Sequence, residues 1–351
     1  MLWHAQRLHQ IGWSVHIAAL FRDTKEHPLV QASRAAGLAS TTLPDPAPWS
    51  LKTWRALRHL LHQVQPQLVH SSDYRSDVLI ASLRQRPRWI AETQGHTAEN
   101  QRMKLWNRLD VQALRRADAV VPVSAAWQQW LTTQGVPAAS MQVLGNSRAI
   151  LVDAPLPAPR HLAGPGPHLL YAGRLSPEKG IDWLLSLWPA VRAQWPQARL
   201  WLLGAMAPAP RWQRRIKAQL RQTGLRWMGH VPDIRAWLRA AHVVIIPSRQ
   251  EAWGMTAFEA LRLGVPVLAT RAGGLPEVCA DAPHAHLVPP NDAAALLSGL
   301  KITLGQQFPR GPALGKIYEA HPRFSPEYRH QQWLKLYSKH LSPSGAFNVL
   351  P

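Results

Sequence analysis

Two glutamates stand eight residues apart in Glu251-Ala252-Trp253-Gly254-Met255-Thr256-Ala257-Phe258-Glu259. That spacing does not stack them on one helical face. It reads instead as a loop carboxylate, Glu251, ahead of a helix that carries Glu259. Gly254 lets a ligand approach the backbone closely. The amides of Gly254, Met255 and Thr256 then head the helix, where an anion is favoured. The plainer alternative is the same loop and helix with two solvated carboxylates. Upstream lies Gly173-Arg174-Leu175-Ser176-Pro177-Glu178-Lys179-Gly180. Here Gly173 permits a tight turn after a strand. Arg174 offers a planar fork of donors and Lys179 a compact charge, both suited to phosphate oxygens; an ordinary polar loop is the alternative. Downstream, Gly273-Gly274-Leu275-Pro276-Glu277 places adjacent glycines before a proline in a first helical turn, another open helix start. Cations and helix-start amides of this kind suit phosphate oxygens, with a carboxylate beside them.

These residues need a scaffold that brings strand ends together, and the pattern supplies one. Helical and strand periodicities alternate along the chain, as in α/β layers around parallel sheets. In the first half, helices are predicted over 2–10, 51–63, 102–116 and 125–134, with strands over 14–20, 67–70, 89–93 and 119–123. In the second half, strands are predicted over 169–172, 199–203, 226–228, 243–247 and 265–270. Helices over 181–194, 212–222, 234–241 and 256–263 separate them. Residues 153–167 hold five prolines and two glycines and read as a linker. The predicted division is therefore 1–152, the linker 153–167, a second domain over 168–323, and a C-terminal helix and tail over 324–351. Two similar halves predict a ligand cleft between them. The last helix, 326–340, is expected to return to the first half.

Hydrophobic residues make up 46% of the 351 and charged residues 17%, so the chain can bury a core and is not disordered. Cys279 is the single cysteine, which excludes an intrachain disulfide and a Cys-rich metal site. The net charge of +20 is spread over both halves and points to an anionic partner: phosphates, an acidic membrane or nucleic acid. A solvated basic surface is the alternative. The run Arg211 to Lys217 reads as a solvated helix face with Trp212 turned inward. Asp73, beside Tyr74 and Arg75, reads as a loop residue, solvated or in an acceptor cleft. No segment reaches the roughly 18 apolar residues of a membrane span, and no secretory signal is recognisable. The expected location is cytoplasmic, with the inner face of the membrane as a peripheral site.

Taken together, Gly173-Arg174-Leu175 with Lys179-Gly180, Met228-Gly229-His230-Val231, Pro247-Ser248, Glu251 with Glu259, Gly264-Val265-Pro266-Val267 and Gly273 to Glu277 resemble glycosyltransferase family 4. The resemblance is ordered over about 168–295 and continues more weakly through Asp118 to Ser124 and Val143 to Asn146. It implies a retaining, nucleotide-sugar-dependent enzyme of the GT-B fold, with two Rossmann-like domains facing a cleft. Arg174 and Lys179 would bind the donor diphosphate and stabilise its charge as the sugar leaves. Glu251 would contact the transferred sugar, making these three the catalytic set. Gly173 and the amides of Gly254, Met255 and Thr256 would hold donor phosphate and sugar. Glu259 would bind the ribose hydroxyls, and the backbone around Val231 the base. No Asp-x-Asp occurs in the chain, so neither a metal nor another cofactor is expected. The implied partners are a nucleotide-sugar donor, a glycan or glycolipid acceptor of the cell envelope (lipopolysaccharide or capsule), and an anionic membrane surface.

The sequence departs from that family twice. The family's first strand and Gly-rich turn are missing, because Met1 already lies in what reads as the first helix. A sheet without that strand would expose an apolar edge. In Thr93-Gln94-Gly95-His96, Gln94 stands where the family carries an acceptor-site histidine, so Gln94 and His96 are the acceptor-side candidates. A truncated, non-catalytic member is the alternative these departures motivate. A basic nucleic-acid-binding protein is the alternative that the charge motivates, although no such motif is present and no nucleic acid is expected as a partner.

Overall fold

The computed structural model describes residues 1–22, 26–47, 50–96, 101–147, 159, 162, 164–305 and 321–341. The predicted linker 153–167 thus lies outside the described residues, except for 159, 162 and 164–167. The chain forms two compact units. One comprises Met1–Glu92, Leu109–Val120 and His330–Pro351; the other comprises Thr93–Arg108 and Val121–Arg329.

The first unit opens with the helix Leu2–Gln10, then β1 (His16–Phe21) and β2 (Ala39–Pro44). The pair β1–β2 is parallel, with Ile17 opposite Ser40. A second sheet has the order β3 (Leu68–Ser71), β4 (Arg88–Thr93), β5 (Ala119–Pro122), with β3 and β4 parallel. The helix Tyr74–Ala81 was not predicted. Asp73 is its N-cap, accepting hydrogen bonds from the amides of Arg75 (2.8 Å) and Ser76 (3.2 Å). Asp73 is exposed and lies just outside the helix, as a solvated loop residue should; as its cap, the short carboxylate also satisfies two orphan amides. In the same helix Arg75 pairs with Asp45, and Asp77 is buried. Burial, reinforced by the nearby Asp110 charge, pushes the Asp77 carboxyl well above the usual range. From His330 onward the helix Pro326–His340 belongs to this unit. Tyr337 Oη lies 2.7 Å from His70 Nδ1, and His330 Nδ1 lies 2.8 Å from His4 Nδ1.

The second unit is built on six strands: β6 (His168–Ala172), β7 (Arg199–Leu203), β8 (Leu225–Gly229), β9 (Val243–Ile246), β10 (Val267–Thr270) and β11 (Ala285–Val288). Their order is β11-β10-β9-β6-β7-β8, and every pairing is parallel. Counted from β6, this is a doubly wound order that reverses between β6 and β9. Alternate residues feed two separate cores, as a sheet covered on both faces requires. Leu170, Trp201, Leu203, Val244 and Ile246 point to one layer, with Phe258, Leu261 and Leu275. Leu169, Leu200, Leu202, Val243 and Ile245 point to the other, with Leu184, Trp188 and Ile216. Trp212 turns inward, as predicted, and its indole N–H donates to the carbonyl of Leu175 at 2.8 Å. Arg211, Arg214, Arg215 and Lys217 are exposed on the same helix, Pro210–Gln219.

Candidate functional site

The reversal between β6 and β9 opens a gap at their carboxyl ends, the place where ligands bind open α/β sheets. A cleft of about 180 Å³ lies there. Tyr171, Ala172 and Gly173 line it from the end of β6, and Lys179 from the turn that follows. Ser248 and Glu251 line it from the loop after β9, and Gly254, Met255 and Thr256 from the next helix start. Gln94 and Asn146 form a further wall, joined to each other by reciprocal side-chain amide hydrogen bonds.

Each group is fixed by local chemistry. After β6 the chain makes a short 3₁₀ turn, Pro177–Lys179; Gly180 then takes a left-handed conformation and the helix Ile181–Gln194 begins. Lys179 Nζ thereby reaches Glu251 Oε2 at 2.7 Å, and Ser248 Oγ donates to the same oxygen at 3.3 Å. The pair is partly buried, at 28% and 14% side-chain exposure, so solvent screens it less than a surface pair. Gly254, at φ 110°, turns the loop into the helix Met255–Arg262 and leaves the first amides without carbonyls one turn back. Thr256 Oγ1 donates to the carbonyl of Ala172 at 2.9 Å, tying that helix start to the end of β6. Tyr171 donates its hydroxyl to the Arg174 carbonyl at 2.6 Å. Burial, and then the Glu251 and Glu178 charges, push its phenol well above the usual range, so it stays a neutral donor.

Of the predicted site residues, the structure brings Gly173, Lys179, Glu251, Gly254, Met255, Thr256 and Gln94 to one cleft. Arg174 follows directly on Gly173 but is exposed and outside the lining. Glu259 is buried at 8% exposure, one turn into the helix that Gly254 opens. Val231 packs against the core beyond β8. His96 sits two residues past Gln94 against Trp127 and Trp130.

Two residues hold segments together in ways the sequence does not reveal: Arg249, which no motif marks, and Glu277, which closes the Gly273–Glu277 motif but whose partners lie elsewhere. Arg249 donates to the Pro177 carbonyl and to Asp182 Oδ1, both at 2.7 Å, while its own amide donates to the Glu178 carbonyl at 2.8 Å. It thus clamps the turn that carries Lys179 to the loop that carries Glu251. Glu277 accepts from the amides of Ala125 (3.1 Å) and Ala126 (3.2 Å), capping a helix far away in sequence. Both pairings link distant segments, which periodicity and spacing do not reveal. Cys279 lies buried, with its thiol pushed up to about 12, and is inert.

A doubly wound parallel sheet with a cation, a carboxylate and an open helix start at its switch point belongs to the ligand-binding α/β class. Residues 4–147 match the family model described as Glycosyltransferase Family 4, and residues 166–305 match Glycosyl transferases group 1. The chain belongs to this group 1, family 4 class of glycosyltransferases. It is 32% identical over 155 residues to the D-inositol 3-phosphate glycosyltransferase of Jonesia denitrificans, covering 41% of this chain and 36% of that protein. It is 30% identical over 203 residues to the putative colanic acid biosynthesis glycosyltransferase WcaL of Salmonella typhimurium, covering 54% of this chain and 48% of that one. The chain therefore spans less than half the length of these curated relatives. The solved structure of Anabaena HepE in complex with UDP-glucose superposes with a TM-score of 0.74 at 18% identity, covering 92% of this chain and 99% of that one. At that identity the likeness shows a shared fold, that of the GT-B glycosyltransferases.

Proposed function

We propose that this protein transfers a sugar from a nucleotide-diphosphate sugar to a hydroxyl of a glycan or glycolipid acceptor, with retention at the anomeric carbon. The observation that carries the reading is the meeting of Lys179, Glu251 and the Gly254–Thr256 amides at the switch point of a family 4 chain. Lys179, with Arg174 from the adjoining loop, supplies the positive charge that a departing diphosphate needs. The helix-start amides add fixed dipoles at the same end. Glu251 holds hydroxyls of the transferred sugar, Glu259 the ribose and the backbone near Val231 the base. Glu251 already engages Lys179 and Ser248, so it is a binding group and not a free nucleophile. The bond from the anomeric carbon to the diphosphate oxygen breaks as the acceptor oxygen bonds to that carbon on the same face. The acceptor proton passes to the leaving phosphate. No metal is required where cations and amides neutralise the diphosphate.

A thermal-shift panel of nucleoside diphosphates tests the donor assignment, because a ligand that binds only the folded state raises its melting temperature. One base should stand out. Arg174→Ala, Lys179→Ala and Glu259→Ala should each weaken that nucleotide or reduce turnover by about tenfold or more. Wild-type affinity and turnover in all three would reject the residue roles.

The acceptor and the surrounding surface are read from charge and kinship. A net charge of +20 suits the anionic inner leaflet, and WcaL is described as acting in colanic acid biosynthesis, so an envelope glycan is the acceptor class we favour. No helix among the described residues is long and apolar enough to cross a membrane, so the attachment we propose is peripheral. The protein should sediment with vesicles containing phosphatidylglycerol at low salt and be released at high salt. Remaining in the supernatant at low salt would count against it.

A further inference from the structure

We propose that the stacked indoles of Trp127 and Trp130 are a platform for a neutral pyranose ring of the acceptor glycan. The assignment rests on the glycosyl-transfer reading above and names the class of acceptor. Trp127 and Trp130 lie three residues apart on the helix Ala125–Thr133, with ring centroids 4.5 Å apart and planes 8° from parallel. His96 meets both rings edge-on, at 5.0 and 5.4 Å. Trp127 donates its indole N–H to Thr93 Oγ1 at 3.0 Å. Trp130 is 37% exposed, so the stack ends in solvent.

This aromatic group is tied to the cleft from two directions. The segment Thr93–His96 carries Gln94 into the cleft lining and His96 to the stack. From the other side, Glu277 caps the first amides of the tryptophan helix, and the Gly274 amide of the same motif donates to the Glu251 carbonyl at 2.9 Å. Ser124 adds a third anchor by accepting from the Trp127 amide at 3.1 Å. The rings are thus held before any ligand arrives, and little side-chain entropy remains to be lost on binding.

The surroundings select the ligand. In a chain of net charge +20, the stretch from Ala119 to Ser147 contains no Asp, Glu, Lys or Arg. Its polar side chains are amides and hydroxyls, Gln128, Gln129, Thr132, Thr133, Gln134 and Asn146 among them. Phosphates, anionic lipid and nucleic acid would favour cations, which this stretch does not itself supply; the Arg329 guanidinium that reaches it is engaged by the carbonyls of Leu144 and Gly145. A sugar ring offers an apolar C–H face for the electron-rich indole face and a rim of hydroxyls for the amides. Gln94 lines the cleft two residues before His96, which meets both indoles, and this link between cleft and stack makes the ligand the acceptor.

The test uses a microarray of immobilised lipopolysaccharide-core and capsular oligosaccharides, probed with the full chain with and without UDP. The wild type should retain a subset of glycans. Trp130→Ala should lose about tenfold or more in retention, while Trp130→Phe, which keeps an aromatic face, should stay within about threefold. UDP affinity by calorimetry should be unchanged in both variants, which separates loss of a platform from loss of fold. Retention of no glycan by the wild type, equal retention by Trp130→Ala, or equal loss by Trp130→Phe would overturn the platform. Should the glycans behave as expected while no nucleoside diphosphate binds, the platform stands and the donor assignment falls.

Discussion

Gly273→Ala should lower the melting temperature by about 4 °C or more and abolish measurable sugar transfer. Gly273 has φ 51°, and a Cβ there would lie 1.8 Å from the Glu251 carbonyl oxygen and 2.9 Å from its carbon. The obstacle is backbone and cannot rotate away. To admit the methyl, the loop after β9 and the loop after β10 must separate, which breaks the Gly274–Glu251 backbone hydrogen bond. The left-handed conformation adds about 1–2 kcal/mol for a residue with a side chain. Gly37→Ala is the internal control. It has φ 75° but nothing within 4 Å of an added Cβ. It should show the conformational cost alone, with transfer intact. Differential scanning fluorimetry and a turnover assay on both variants separate the two contributions. Equal behaviour of the two would mean that the Glu251 loop does not depend on contact with Gly273.

The contrast explains what could be read from the sequence. Glycines that end a strand, open a helix or follow one are visible as punctuation. They place the helices Ile181–Gln194 and Met255–Arg262 and the strands β6, β7 and β9 within a residue or two. Placing Glu251 in a loop and Glu259 on a helix followed from the same logic. The helix Tyr74–Ala81 escaped because its buried face includes Arg75 and Asp77, which read as solvent-facing residues. Its hidden partners, Asp45 and Asp110, come from other elements. β2, Ala-Ser-Thr-Thr-Leu-Pro, has one fully buried residue and too little apolar alternation to announce a strand. The site shows the same limit. Residue types identified Lys179 and Glu251 as ligand groups, but their pairing across 72 positions is a tertiary fact. So are the Arg249 clamp and the Gln94–Asn146 wall.

That pairing sets the final expectation, in which two changes to one ion pair act in opposite senses. Lys179→Met should weaken the binding of the nucleoside diphosphate by about ten- to a hundredfold, the loss of one charge-assisted contact. It also leaves the partly buried Glu251 carboxylate without its nearest cation, so like charges meet when a diphosphate enters. Glu251→Gln removes the competing anion instead. Lys179 is then freed for phosphate, and nucleotide affinity should hold or rise. Turnover should nevertheless fall by about a hundredfold or more, because the amide no longer balances the cation or accepts two sugar hydroxyls as a carboxylate does. Isothermal titration with the nucleotide found by thermal shift, beside a turnover assay, reads both quantities. The double variant should bind more tightly than Lys179→Met, because the like charge facing the diphosphate is gone, but more weakly than Glu251→Gln, because the lysine is gone too. Weaker nucleotide binding in Glu251→Gln than in Lys179→Met would reverse the assignment, making the carboxylate the diphosphate-side group and the lysine its support.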